Sequence, residues 1–255
     1  MVKYLLKKSY QRDNLKEVKF DDLWNKTGLF TTMWIYGKPP KIIFFNSHIY
    51  NLIQSLKDYK LSQRNIRKII LNSIKKNINK NFSYNHLLRV ALNRKILSVS
   101  IRKKEIPKNN FSLKLVNYKR IKPEYKNLKY KKIKQFLSKI DTTKQDIGLC
   151  VKNKLLETGT SNLLFVKNEK IFSPKENFYK GINLKFYERK LKIIKKDIFL
   201  NELDQYEEII LVGSGKGVVS VNYIYKNNWK RKKKKVFNII HKLFKKEISK
   251  TNIYK

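Results

Sequence analysis

Residues 157–165 read Glu157-Thr158-Gly159-Thr160-Ser161-Asn162-Leu163-Leu164-Phe165. An acid, a run of small hydroxyl residues and an asparagine lead straight into an apolar stretch of strand character. Alone, the segment is open to two readings: Glu157 is a solvated hairpin acid, or a carboxylate held at a site. Two later features bear on the choice. Lys180-Gly181-Ile182 opens a helix, whose free amide donors and positive dipole end can bind phosphate. Gly213-Ser214-Gly215-Lys216-Gly217 follows a strand and offers a backbone nest plus a hydroxyl. Two candidate phosphate sites, an acid and abundant lysine point to a phosphorylated cofactor with an electron-poor ring.

Around these motifs the chain divides into two parts, expected at residues 1–107 and 108–255. In the first, Leu29 to Tyr36 and Lys41 to Phe45 read as a hairpin about Gly37-Lys38-Pro39-Pro40. Ser47 can cap a helix bearing Ile49, Leu52, Ile53 and Leu56. A second helix is expected from near Ser62, and Leu87 to Leu92 with Ile96 to Ile101 form a second strand pair. Ile106-Pro107-Lys108-Asn109-Asn110 has linker character. In the second part, strands are expected at 111–116, 147–151, 163–166, 171–172, 208–212 and 218–225. Helices are expected from Lys126 to Lys139, from Gly181 to about Ile194, and across Phe237, Ile240, Phe244 and Ile248.

The composition excludes several classes. At 255 residues and 41% hydrophobic content, the chain can bury a core, unlike a disordered basic tail. The one cysteine, Cys150, rules out an internal disulfide framework and a zinc site built on thiolates. His86 and His241 lack metal-ligand companions at useful spacing, so no metal is expected. No window approaches the ~20 apolar residues of a membrane span. The opening MVKYLLKKSY lacks the apolar stretch of a signal peptide, and a cytoplasmic protein is expected. The formal charge of +41 invites a nucleic-acid reading. Against it, 51 of the 60 basic residues are Lys and 9 are Arg, with one Ala, 26 Asn, 14 Phe and 15 Tyr. An AT-biased genome produces this balance whatever the protein does, and a dedicated phosphate or guanine reader favours Arg.

The ordered motifs resemble the class-IV pyridoxal-phosphate enzymes, the fold shared by branched-chain and D-amino-acid aminotransferases and aminodeoxychorismate lyase. In that family an E-G-x-S-x-N segment carries the acid facing the pyridine nitrogen, and Glu157 to Asn162 is similar to it. The phosphate-binding G-I-T-R helix start resembles Gly181-Ile182-Asn183-Leu184, and the T-G-T loop resembles Val212-Gly213-Ser214. The H-x-x-R-L segment is similar to His48-Ile49-Tyr50-Asn51-Leu52, and the K-x-L-N motif of the Schiff-base lysine to Lys126-Asn127-Leu128-Lys129. Lys129 is the alternative lysine; Lys126 preserves the K-x-L order. Asn51 and Leu184 stand where the family has arginine, and Lys129 where it has asparagine.

What the resemblance implies is an α+β, two-domain fold: a small N-terminal α/β sandwich and a C-terminal barrel-like β domain with helices that binds the cofactor. It implies an enzyme with pyridoxal 5'-phosphate, Lys126 as catalytic and cofactor-holding lysine, and Glu157, Ile182, Asn183 and Ser214 as cofactor ligands. Phe30-Thr31-Thr32 resembles the F-T-T of aminodeoxychorismate lyases, where many aminotransferases have F-E-T. Formation of 4-aminobenzoate and pyruvate, a step of folate biosynthesis, is therefore expected. Transamination of branched-chain or D-amino acids is the alternative, and a non-catalytic nucleic-acid binder or degenerate family member a further one. The expected partners are a small-molecule substrate and a second copy in a homodimer, with no specific nucleic acid and no membrane.

Overall fold

The structure is a computed structural model, and it describes residues 3–225 and 227–254. Two compact units are present. The first takes in residues up to Lys104, the segment Tyr125–Lys131 and the stretch from Lys250. The second takes in Glu105–Glu124 and Lys132–Ser249.

The first unit contains β1 (Tyr4–Gln11), β2 (Glu17–Val18), β3 (Leu29–Gly37), β4 (Lys41–Ile42), α1 (Phe45–Asp58), α2 (Ile66–Asn77), β5 (Tyr84–Leu92) and β6 (Ile96–Lys103). The strands form one sheet in the order β2-β1-β6-β5-β3-β4. All its pairings are antiparallel. Alternation places Leu29, Met33 and Ile35 of β3 and Leu88, Val90 and Leu92 of β5 in one core. Ile49, Leu52 and Leu56 of α1, with Ile66, Ile70 and Ile74 of α2, share that core at helical spacing.

Both helices start differently from expectation. Phe44 takes the left-handed conformation (φ 54°) as N-cap of α1, without a side-chain cap, so Ser47 falls inside the first turn and the preceding strand stops at Ile42. Asn65 does the same (φ 60°) before α2, a conformation that asparagine tolerates well.

Gly28 explains a third departure. A Cβ there would stand 2.2 Å from the carbonyl oxygen of Leu92 and 2.6 Å from Cδ1 of Leu128. Only glycine lets the segment around Leu128 lie this close. The Phe30 amide donates to Lys126 O and the Leu128 amide to Gly28 O, each at 2.9 Å. These bonds hold residues 126–128 in extended pairing with the start of β3. The expected helix over 126–139 is accordingly confined to α3 (Lys131–Leu137).

The second unit contains β7 (Phe111–Asn117), β8 (Gln145–Val151), β9 (Lys154–Thr158), β10 (Asn162–Lys167), β11 (Lys170–Pro174), α4 (Ile182–Glu188), β12 (Ile193–Lys196), β13 (Glu208–Gly213), β14 (Gly217–Tyr225) and α5 (Lys235–Lys250). Its sheet runs β12-β11-β10-β13-β14-β7-β8-β9. β9 is an edge, yet a short turn through Thr158–Ser161 joins it to β10, five places away in the order. The sheet must therefore curl on itself, as expected of the barrel-like domain. The curled sheet encloses Phe111, Leu163, Phe165, Leu211, Val221 and Trp229 in one core. The helix expected to reach Ile194 ends at Glu188, because Ile193–Lys196 pairs in parallel with β11.

At the far end, buried Glu208 accepts from the amides of Val236 (2.9 Å) and Phe237 (2.7 Å), capping α5 from a strand. Among the described residues, no helix is long and apolar enough to cross a membrane.

Candidate active site

Glu157 ends β9, and its carboxylate is buried. Both oxygens are engaged by Arg120, whose Nε donates to Oε1 at 2.9 Å and Nη2 to Oε2 at 3.2 Å. The arginine is buried as well. Glu157 is thus no solvated hairpin acid. Arg120 fixes the plane of the carboxylate, and a buried carboxylate held in this way can stabilise a protonated ring nitrogen. The sequence reading missed Arg120, which is 37 residues away from Glu157 in the chain.

The turn after Glu157 is built on a second buried acid. Asp146 accepts the hydroxyl protons of Thr158 (3.0 Å) and Thr160 (2.5 Å), and the Thr158 hydroxyl accepts the Ser161 amide at 2.8 Å. That places Ser161 and Asn162 at the entrance to β10. The Asn162 carboxamide then bridges to the start of α4. Its Oδ1 accepts the Gly181 amide at 2.9 Å and its Nδ2 donates to Tyr179 O at 2.6 Å. Gly181 is the N-cap of α4, and no side chain caps its first turn. The amides of Ile182 and Asn183 lie in that turn.

Ser214 meets this turn from the β13–β14 connection, its hydroxyl donating to Asn183 Oδ1 at 3.1 Å. So the structure brings Asn183 and Ser214 into contact, with Ile182 adjacent, and ties their setting through Asn162 to the strand that follows Glu157.

Lys126 belongs to the first unit. Its Nζ lies 5.3 Å from the centroid of the Phe30 ring. Buried His48 donates to or accepts from Thr31 Oγ1 through Nδ1 at 2.7 Å. Burial, and secondarily the charge of Lys126, pushes the His48 imidazole down to about 3, so the ring stays neutral at ordinary pH. Lys129 is turned elsewhere: its Nζ donates to Asn25 O at 3.0 Å in an exposed bond. Asn51 lies on α1, half-buried.

Arg89 on β5 is half-buried. Its guanidinium carbon stacks 3.8 Å from the Trp24 ring centroid, and Nη2 donates to Asp22 O at 2.9 Å. Burial is the main cause that lowers its pKa to about 10, which leaves it charged. It is a fixed cation on β5 that can meet an anionic group.

The residues present fit a phosphorylated pyridine cofactor. The second unit holds a buried carboxylate for a ring nitrogen, and an uncapped helix start beside hydroxyl and amide donors for phosphate. A half-buried lysine is available in the first unit. No group of three or more His, Cys, Asp or Glu that could hold a metal ion occurs among the described residues.

A family model described as amino-transferase class IV matches residues 28–224. No curated protein matches the chain significantly. Among solved structures, the fold is similar to a branched-chain aminotransferase of Thermoproteus uzoniensis crystallised with norvaline, with a TM-score of 0.79 at 12% identity over 100% of both chains. A Legionella pneumophila protein described as a candidate 4-amino-4-deoxychorismate lyase gives 0.70 at 16% identity, over 92% of this chain and 97% of that one. A hypothetical aminotransferase of Mycobacterium tuberculosis in its pyridoxal-phosphate-bound form gives 0.69 at 12% identity, over 95% and 99%.

Proposed function

We infer the function from the premise that this chain belongs to the amino-transferase class IV family. Members of that family are pyridoxal-phosphate-dependent aminotransferases and lyases, and the chain is an enzyme of that kind. Our reading is that it binds pyridoxal phosphate and acts as an aminodeoxychorismate lyase, releasing pyruvate and leaving 4-aminobenzoate.

The observation that carries the cofactor reading is the buried Glu157 carboxylate, followed in the chain by Asn162, whose carboxamide ties the next strand to the uncapped start of α4. A buried acid costs free energy unless its charge is used. Here Arg120 fixes its plane, and it would hold a ring nitrogen in the protonated state. The amides of Ile182 and Asn183 would hold the phosphate, and the Ser214 hydroxyl would turn its one proton from Asn183 Oδ1 to join them. Lys126 Nζ would hold the aldehyde carbon, and its amine would serve as acid and base for a proton at the substrate's α-carbon. When bound, the cofactor supplies an electron sink for the pair left on that carbon. His48, held neutral, keeps the Thr31 hydroxyl oriented without adding charge near Lys126. Arg89 offers a cation for a substrate carboxylate.

The lyase reading is supported by Phe30-Thr31-Thr32, since a threonine stands where acid-bearing relatives act as aminotransferases. The similarity to the Thermoproteus branched-chain enzyme favours the second reading, amino-acid transamination.

The test is direct. Protein loaded with pyridoxal phosphate is given aminodeoxychorismate, with pyruvate followed by a coupled dehydrogenase. It is separately given branched-chain and D-amino acids with 2-oxoglutarate. Pyruvate and 4-aminobenzoate in equal amounts support the lyase. Glutamate formation without pyruvate release replaces it with the transaminase.

A further inference from the structure

We propose that residues 251–254 are a strap that holds the first turn of α1, and through it the His48–Thr31 pair, so that its release loosens this part of the candidate site. The functional weight of that pair rests on the reading above; the strap itself does not.

The strap closes a sheet edge. α5 runs to Lys250, yet from that residue on the chain belongs to the first unit. β4 is two residues long and pairs with β3 on one side, Lys41 opposite Tyr36. On its other side Lys41 pairs antiparallel with Ile253, and the Tyr254 amide donates to Pro40 O at 2.8 Å. Covering an edge in this way satisfies backbone groups that would otherwise face outward. Strand alternation sends neighbouring side chains to opposite faces. Ile253 is accordingly 49% exposed, whereas Tyr254 packs against the core of the first unit. Its ring meets the Phe45 ring edge to face, with centroids 5.1 Å apart.

Phe45 opens α1, and the start of that helix lacks the usual local supports. Its N-cap, Phe44, is a bulky residue in the left-handed region at φ 54°, a costly conformation for any residue but glycine. No side chain caps the turn and no acid stands in it. Support from outside the helix therefore matters here, and the Tyr254 ring provides it. The effect reaches the candidate site within one turn, because residues 45 and 48 are neighbours on one helix face. The His48 amide donates to Phe44 O at 2.9 Å, and its Nδ1 is bonded to Thr31 Oγ1 at 2.7 Å. Losing the ring contact lets the turn fray, and fraying breaks the His48 amide bond first.

The experiment is amide hydrogen exchange on the chain without cofactor, so its result is independent of the functional reading. Three variants are compared with the parent: a chain ending at Lys250, Tyr254→Ala, and Tyr254→Phe, which keeps the ring. The shortened chain and Tyr254→Ala are expected to exchange the His48 and Ile49 amides ~10-fold faster or more, with Tyr254→Phe within ~2-fold of the parent. Amides of β5 and β6 are expected to stay within ~2-fold throughout, which separates local opening from lost stability of the whole unit. Nitrogen NMR of the His48 ring follows the second link. One tautomer, fixed by the bond to Thr31, is expected in the parent and in Tyr254→Phe, and averaging of the two in Tyr254→Ala. Unchanged exchange at His48 and Ile49, equal acceleration of β5 and β6, or a Tyr254→Phe as fast as Tyr254→Ala overturns the strap. Faster amides with unchanged ring signals overturn its reach to His48. If the shortened chain does not fold, the two Tyr254 variants decide.

Discussion

Removing the guanidinium of Arg120 tests whether Glu157 is held as described. The two side chains are 6% and 4% exposed and joined by two hydrogen bonds of 2.9 and 3.2 Å. Exposed ion pairs contribute ~0–1 kcal/mol, but that figure belongs to solvated geometry. Here water does not screen the pair, and breaking one partner of a buried pair costs about 3–5 kcal/mol. Arg120→Met is therefore expected to lose about 3–5 kcal/mol in urea unfolding followed by circular dichroism. Replacing both members by apolar groups removes both desolvation costs, so Arg120→Met with Glu157→Met is expected to return to within about 2 kcal/mol of the parent. Arg120→Lys restores charge but not the two-pronged fork, and is expected to recover less than half of the loss. A single variant costing under ~1 kcal/mol, or a double variant as unstable as the single, refutes the reasoning. Glu157→Gln turns an amide toward Arg120, so lost turnover in that variant supports the ring-nitrogen role only once its stability loss has been measured and allowed for.

Other outcomes follow from the same geometry. Borohydride reduction of the pyridoxal-phosphate-loaded protein and peptide mapping should place the pyridoxyl group on Lys126, and Lys129→Ala should not move it; a label on Lys129 sinks the assignment. His48 has a folded pKa of about 3 against an unfolded 6.5, so its contribution is complete above pH 6.5 and is lost as pH falls toward 3, by about 1.4 kcal/mol per pH unit. Urea midpoints between pH 7 and 5 should therefore fall more steeply for the wild type than for His48→Asn; parallel curves would show that the imidazole is not buried neutral. Near physiological salt, DNA or RNA should bind without preference at roughly 10⁻⁴–10⁻⁶ M; a ~10³-fold preference for one sequence would mark a dedicated binder.

Elements with both clear periodicity and turn punctuation were legible. β6 alternates Leu97, Val99 and Ile101 with serines, β3 and β5 are rich in β-forming residues, and α5 keeps Ile240 and Phe244 on one buried stripe. What hid the others was competition from tertiary structure or from lysine. β1 reads YLLKKSYQ, and among its residues only Ser9 and Tyr10 are buried, so lysines mask the strand. Residues 126–130 carry lysines of good helix propensity, but backbone pairing with Gly28 and Phe30 overrides it. β12 looked like more helix because Leu191 and Ile194 continue the spacing of α4, and only its pairing with β11 separates the two. The candidate site divides along the same line. Glu157, Ile182, Asn183 and Ser214 lie in local motifs and could be read. Arg120 and Arg89 act through partners distant in the chain, and no local pattern announces such pairs.

The nine arginines carry the composition argument one step further. If codon bias replaces arginine by lysine wherever a point charge suffices, the survivors should concentrate where a planar fork is needed. Several do. Arg12 is buried and its two terminal nitrogens donate to the carbonyls of Asn93 and Leu61. Arg120 grips both oxygens of Glu157. Arg89 stacks on Trp24 while donating to Asp22 O. None of these geometries is open to an ammonium, which cannot fork or lie flat on a ring. The ion-paired lysines instead meet single carboxylate oxygens at partly exposed positions, as Lys154 with Asp197 and Lys233 with Glu207 do. The large positive charge is carried mostly by lysines, none of them buried among the described residues, while Arg12, Arg89 and Arg120 use a geometry that lysine lacks. On that view the +41 says little about partners, and, Lys126 apart, the informative cations are arginines.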